Sequence, residues 1–192
     1  MAPEAFDISA EQTLARTSPN SVHAIKSVRD HMADIAIIAN ECNDIDISKT
    51  FLEEEKAFLV ASSEICKERS FHEILREATF ISYDYHCSFS NIIEQYFKKA
   101  DYQPQSTIMV GGSDEMIKRA VLNGTGYAIL GQNAIENEIN DGSITILQHI
   151  SASIITSAIN LKVRSDEPNI LTFHEFLQNA WPASNNLSES LG

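Results

Sequence analysis

Residues 107–130 read Thr-Ile-Met-Val-Gly-Gly-Ser-Asp-Glu-Met-Ile-Lys-Arg-Ala-Val-Leu-Asn-Gly-Thr-Gly-Tyr-Ala-Ile-Leu. Thr107 to Val110 is an apolar run closed by Gly111-Gly112. Ser113 is placed to cap a helix whose first turn carries Asp114 and Glu115, the charge that a helix N-terminus favours. Met116, Ile117, Ala120 and Val121 fall on one face, and Gly124 sits where that helix would stop. Tyr127 to Leu130 is long enough for a short buried strand. The spacing predicts a crossover between neighbouring parallel strands, an order that suits a pocket wall better than an active site.

The same alternation continues outward. Upstream, Phe6 to Arg16 reads as a strand and Ser18-Pro19 as a helix start, followed by an apolar stripe at Val22, Ile25 and Val28 and a buried strand at Asp34 to Ile38. Ile45 to Phe51 and Lys56 to Ala61 read as two strands, Phe71 to Glu77 as a helix, and Phe80 to Tyr83 as a strand. Phe89, Ile92, Ile93, Tyr96 and Phe97 have the spacing of an amphipathic helix. Downstream come a helix near Asn133 to Asn140, strands at Ser143 to Leu147 and Ala158 to Val163, and a closing helix at Leu171 to Trp181. Strands alternating with helices predict an α/β fold with a mostly parallel sheet.

The 192 residues hold 27 acidic and 14 basic side chains, a formal net charge of −13. No Lys/Arg-rich run is present to follow a phosphate backbone, so direct nucleic-acid contact by this chain is not expected. Cys42, Cys66 and Cys87 form no Cys-x-x-Cys pair, and an odd count fits a reducing cytoplasm better than a secreted disulfide framework. The N-terminus has neither a basic nor an apolar leader region, and no apolar run approaches about 18 residues, so neither export nor membrane insertion is expected.

Several chemistries fail on their spacing. Gly124-Thr125-Gly126 follows a helix and precedes a strand, the reverse of a dinucleotide fingerprint, and Ile129 stands at the third glycine position. Ser113 lies in Gly-Gly-Ser-Asp-Glu, without the second glycine of a nucleophile elbow. His72-Glu73 and His174-Glu175 have Arg76 and Gln178 where a zinc motif needs its second histidine, and both histidines read as surface or satisfied helix residues. No cofactor and no metal site are expected. His86 and Cys87 could suggest a thiol nucleophile, but neighbours on an extended segment point to opposite sides. Three strand ends do share one feature: Thr17-Ser18, Asp84 to Ser88 and Gly111 to Ser113 each present polar turn residues to a helix start. In parallel sheets ligands bind outside the carboxyl ends of strands.

Together these segments resemble the effector-binding domain of LysR-type transcriptional regulators. Asn20-Ser21-Val22 through Ala33-Asp34-Ile35-Ala36-Ile37 resembles the family's helix followed by G-x-x-D-[IVL]-[AG]-[IVL], with Asp34 matching and His31-Met32 in the glycine region. Val121-Leu122-Asn123-Gly124-Thr125-Gly126-Tyr127-Ala128-Ile129-Leu130 resembles V-x-x-G-x-G-[IV]-[AG]-x-L-P, with Gly131 at the proline position, where it would loosen the following turn. Glu138-Ile139-Asn140-Asp141-Gly142-Ser143-Ile144 resembles E-L-x-x-G-x-L. The first readable strand matches the family's second, so a truncated first lobe without the usual helix-turn-helix is the expectation.

The resemblance implies a two-lobed, periplasmic-binding-protein-like (type II) α/β fold, each lobe a mostly parallel sheet flanked by helices. Residues 1–60 and 150–183 would form lobe I, residues 61–149 lobe II, and residues 184–192 a tail. It implies a homodimer through the lobes and a small-molecule inducer between them, for which a carboxylate is the expected class. Carried over by position, the ligand-binding residues would be Thr17 and Ser18 from the first lobe and Tyr83, Asp84, Tyr85, His86, Cys87, Gly112 and Ser113 from the second, with Tyr127 and Leu130 as pocket-wall candidates. Two other readings stay open. One is a stand-alone solute-binding protein of the same fold, which an export signal would favour. The other is a small α/β enzyme using the Asp84 to Ser88 loop, which turnover abolished by Cys87→Ala or His86→Ala would favour.

Overall fold

A computed structural model describes residues 21–39, 42–83, 89–110 and 113–181. The chain divides into two compact units, residues 1–53 with 155–192 and residues 54–154. The strand predicted over Phe6 to Arg16 and the helix start at Ser18-Pro19 lie outside the described residues.

In the first unit, helix α1 (Ser21–Arg29) covers strand β1 (Ile35–Ala39). Ala24 and Val28 pack into a core with Ile38, Cys42, Ile47 and Ile159, which is how the stripe read from the sequence is used. The helix ends in a paired turn: His31 N–H donates to Val28 O at 3.2 Å and Met32 N–H to Ser27 O at 2.9 Å. His31 takes φ 57°, the left-handed conformation, in the region where the family motif has glycine. For a residue with a Cβ that conformation costs about 1 kcal/mol. Asp34, the matching motif residue, receives Arg164 Nη1 at 2.5 Å, and the same guanidinium binds Glu167 at 2.7 Å.

Two long strands replace four predicted short ones. Strand β2 (Ile47–Ser62) runs without a break through Glu53-Glu54-Glu55-Lys56, the charges that divided it in the sequence reading. Strand β6 (Ile144–Leu161) likewise joins the segments expected at 143–147 and 158–163. β1 pairs with β6 antiparallel, Ile35 opposite Asn160 and Ala39 opposite Thr156, so the pairing described for this unit is not parallel. A short 3₁₀ turn (Lys162–Arg164) leads to helix α7 (Pro168–Ala180) with proline in its first turn. Trp181 Nε1–H donates to the buried Glu53 carboxylate at 2.9 Å.

His174 of α7 is buried, at 8% exposure, which corrects the expectation of a surface or fully satisfied histidine. Nε2 meets Asn160 Oδ1 at 3.0 Å, while Asn160 Nδ2 donates to Leu161 O and Ser165 Oγ, which orients the amide so that Nε2 carries the proton. Nδ1 is buried without a hydrogen-bond partner among the described residues. Burial holds this imidazole below its ordinary pKa. Above about pH 6.5 folded and unfolded chains both carry it neutral; below that the unfolded chain takes up the proton first, so stability falls as the solution is acidified. Denaturant unfolding at pH 7.5 and 5.0 should therefore lose less stability in His174→Gln than in the wild type. Equal losses in the two proteins would remove His174 as the cause.

In the second unit, β2 pairs antiparallel with β5 (Gly126–Gly131), Ala57 opposite Gly131 and Ala61 opposite Tyr127. Strand β3 (Thr79–Ser82) lies parallel to β5 on one side and to β4 (Thr107–Met109) on the other. The sheet is thus mixed. The 107–130 crossover does not join neighbours, because β3 lies between β4 and β5. Sequence proximity fixes the direction of the two strands but not which strand sits between them. Helix α5 (Asp114–Leu122) closes the crossover and buries Ile117 and Val121. Helices α2 (Ser63–Glu68), α3 (Phe71–Glu77), α4 (Ser90–Lys99) and α6 (Gln132–Asn140) complete the unit. Glu73, half of a rejected zinc motif, closes a capping box: Ser70 N–H donates to its carboxylate at 2.8 Å.

Candidate functional site

The carboxyl ends of β3 and β4 are held side by side, with Val110 N–H donating to Ser82 O at 2.9 Å. Helix α4 follows β3 along the chain and α5 follows β4. Tyr83, one residue past β3, is 7% exposed and stacks on Phe89, with ring centroids 4.9 Å apart. Its hydroxyl donates to Asp114 Oδ1 at 2.5 Å. That bond ties the residue after β3 to the first residue of α5.

Ser113 stands at the N-cap position of α5 with extended backbone, but its side chain makes no capping hydrogen bond, contrary to the role read from the sequence. The helix is started instead by its carbonyl, which accepts from Met116 N–H at 3.0 Å. The exposed Ser113 hydroxyl and the positive end of the α5 dipole therefore open at the same place as Tyr83.

Beside them lies a hollow of about 390 Å³ lined by Glu55, Asp114, Glu115, Lys118, Asn133 and Ala134. Glu55 reaches from β2 to the N-terminus of α6, where its Oε2 accepts from Asn133 N–H at 3.0 Å. A Cβ at Gly131, which precedes α6, would lie 2.8 Å from Glu55 Oε2, so the carboxylate would have to shift to admit it. The expected loosening at this position is a close approach of a carboxylate to bare backbone. Lys118 bridges Glu138 at 2.8 Å and Glu115 at 3.0 Å. Burial pulls the Lys118 pKa down, but its two carboxylate partners outweigh that and the ammonium form is favoured.

Of the sequence-derived site residues, Tyr83 and Ser113 come together at this edge. Tyr127 lies in the core at 0% exposure, its ring against Phe80 and its hydroxyl 3.4 Å from Leu75 O, and Leu130 is equally buried. Thr17, Ser18, Asp84, Tyr85, His86, Cys87 and Gly112 lie outside the described residues. The sequence reading missed Asp114 as a partner, having taken it only as a favourable helix charge. It also missed Glu55 and Asn133, which meet only through the antiparallel β2 and β5 register. Among the described residues no group of three or more His, Cys, Asp or Glu could hold a metal ion, and no helix is long and apolar enough to cross a membrane.

Residues 14–182 match the LysR substrate binding domain family. No curated protein matches the chain. Among solved structures, the apo regulatory domain of HypT from Salmonella typhimurium is similar at 20% identity and a TM-score of 0.75, over 91% of this chain and 86% of that one. The CcmR regulatory domain of Synechocystis PCC6803, in complex with 2-PG, is similar at 16% identity and a TM-score of 0.70, over 86% and 82%. The regulatory domain of CrgA, a LysR-type transcriptional regulator from Neisseria meningitidis, aligns at 17% identity and a TM-score of 0.62, over 81% and 79%. These likenesses carry the fold, a type II periplasmic-binding-protein-like α/β architecture. The chain belongs to the LysR substrate-binding domain family, the effector-binding regulatory part of LysR-type transcription regulators.

Proposed function

We propose that the effector is a small molecule held at the edge of the second unit where Tyr83 and Ser113 meet, with the intervening turn residues Asp84, Tyr85, His86, Cys87 and Gly112 contributing contacts. The observation that carries this is the Tyr83 to Asp114 bond, which keeps the exposed Ser113 hydroxyl and the α5 N-terminus in a fixed position beside two strand ends. A carboxylate suits that hydroxyl and dipole, although Asp114 and Glu115 limit how much negative charge the site tolerates. In this reading the chain senses without catalysing, works in the cytoplasm as a homodimer, and touches neither nucleic acid nor membrane itself. Binding acts by favouring one arrangement of the regulator over another.

A thermal-shift screen against small aromatic and aliphatic carboxylates tests the assignment, since a ligand that binds only the folded state raises the melting temperature. At least one member should stabilise the wild type, and Ser113→Ala should weaken that member about fivefold, the worth of about 1 kcal/mol of hydrogen bond. Stabilisation that Ser113→Ala leaves unchanged would place the effector elsewhere.

A further inference from the structure

We propose that the first unit carries a self-association surface at the end where β1 and β2 begin and β6 stops, and that its partner is the same surface on a second copy of this chain. Three turns meet there: one joins α1 to β1, one precedes β2 and one follows β6. Lys162 N–H donates to Asp46 O at 2.8 Å, which fastens the third turn to the second, and Arg164 binds Asp34, which fastens it to the first. Each turn projects one apolar side chain into solvent: Met32 at 82% exposure, Ile45 at 82% and Val163 at 89%. They are the three most exposed large apolar side chains among the described residues. A single exposed apolar residue is ordinary. Three gathered on turns, where short polar residues are the rule, mark a surface that another molecule covers.

The charge at this end selects the partner. Arg29 pairs with Asp44 at 3.3 Å, Lys26 with Asp30, and Arg164 with both Asp34 and Glu167. Lys49, bonded to Cys42 O, and Lys162 balance Asp46 and Asp166. Among the described residues of these turns, positive and negative side chains therefore differ by one, in a chain whose formal net charge is −13. Two copies repel each other over most of their surfaces and least where this end of one meets this end of the other. A two-fold contact sets one patch against itself, so it needs apolar groups among balanced charges rather than a field of one sign. A basic partner would be drawn to the acidic remainder of the surface instead, and an anionic membrane would repel the chain as a whole. Three side chains from each copy bury far less than the roughly 1,200 Å² of specific complexes, so the contact is weak and forms where copies are concentrated. It does not depend on the effector assignment or on any other surface that pairs the copies.

Sedimentation velocity and ¹³C spectra of the methionine methyls, both on the full chain, supply the test. From about 10 µM to about 1 mM protein, the range of a weak contact, the Met32 resonance should shift progressively while that of Met116, in the other unit, stays still. Ile45→Ser with Val163→Ser should raise the midpoint of that shift about tenfold or more, the loss expected from removing two apolar side chains per copy. Val22→Ser, at 62% exposure but at the opposite end of α1, should leave the midpoint where it is. A dilute spectrum matching that of the wild type establishes that a variant is folded. Should the double variant fail that check, Val163→Ser alone should raise the midpoint about threefold. A Met32 resonance that ignores protein concentration overturns the proposal even where sedimentation shows association, because that association then uses another surface. So does a shift that the serine substitutions leave untouched. A Met32 shift driven by phosphatidylcholine vesicles at about 10 µM protein, where a contact this weak is not populated, would assign this end to a membrane and equally overturn it.

Discussion

Gly126→Ala is expected to unfold the second unit or to destabilise it by about 3 kcal/mol or more, the upper range of overpacking costs. Gly126 opposes Thr79 where β5 and β3 begin their parallel pairing. A Cβ built on it would lie 1.8 Å from the Thr79 carbonyl oxygen and 2.8 Å from the carbonyl carbon. Both obstacles are backbone, so no rotamer change relieves them and the two strands must separate. Gly124→Ala is the comparison. A Cβ there meets nothing within 4 Å but inherits φ 72°, so its cost is conformational strain alone, about 1 kcal/mol. Urea unfolding followed by far-ultraviolet circular dichroism ranks the two variants. If Gly126→Ala proves no worse than Gly124→Ala, the close approach of β3 to β5 is not as described.

Phe80→Ala should cost about 3–5 kcal/mol, as large-to-small changes of buried aromatics do. Phe80 is 2% exposed on β3, with Phe97 of α4 at 4.9 Å and Tyr127 of β5 at 5.4 Å. Removing it opens a cavity between three elements and leaves Tyr127 without its neighbour. Tyr127 is itself wholly buried, and burial holds its hydroxyl well above the usual phenol pKa. Phe51→Ala, at 57% exposure in the first unit, should change stability by no more than about 0.5 kcal/mol. Similar midpoints for the two variants in equilibrium denaturation would contradict this ranking.

Helices were the most legible part of the chain. Ile92, Ile93 and Phe97 fall on the buried face of α4 as their spacing requires, and Ala24 and Val28 do the same in α1. A helix satisfies its own backbone, so its core face follows from local periodicity. Strands were legible only where they were short and apolar, as in β5. In β2 the run Glu53-Glu54-Glu55-Lys56 looked like an interruption, yet Glu53 is buried against Trp181 and Glu55 caps α6. Those partners lie 128 and 78 residues away along the chain, and no local pattern announces them.

The candidate site divides along the same line. The positions of Tyr83 just past β3 and of Ser113 just before α5 follow from the alternation of strands and helices. Tyr127 belongs to a recognisable motif and is wholly buried, because a motif position does not say which way a side chain faces. Composition, periodicity and motif order along the chain settled the fold class and the family, since each depends on neighbours within a few residues. The order β2, β5, β3, β4, the brace from Tyr83 to Asp114 and the contact of Glu55 with Gly131 were settled by tertiary structure alone. Each depends on which strands pair and in what register, and that is chosen by burying the whole core at once.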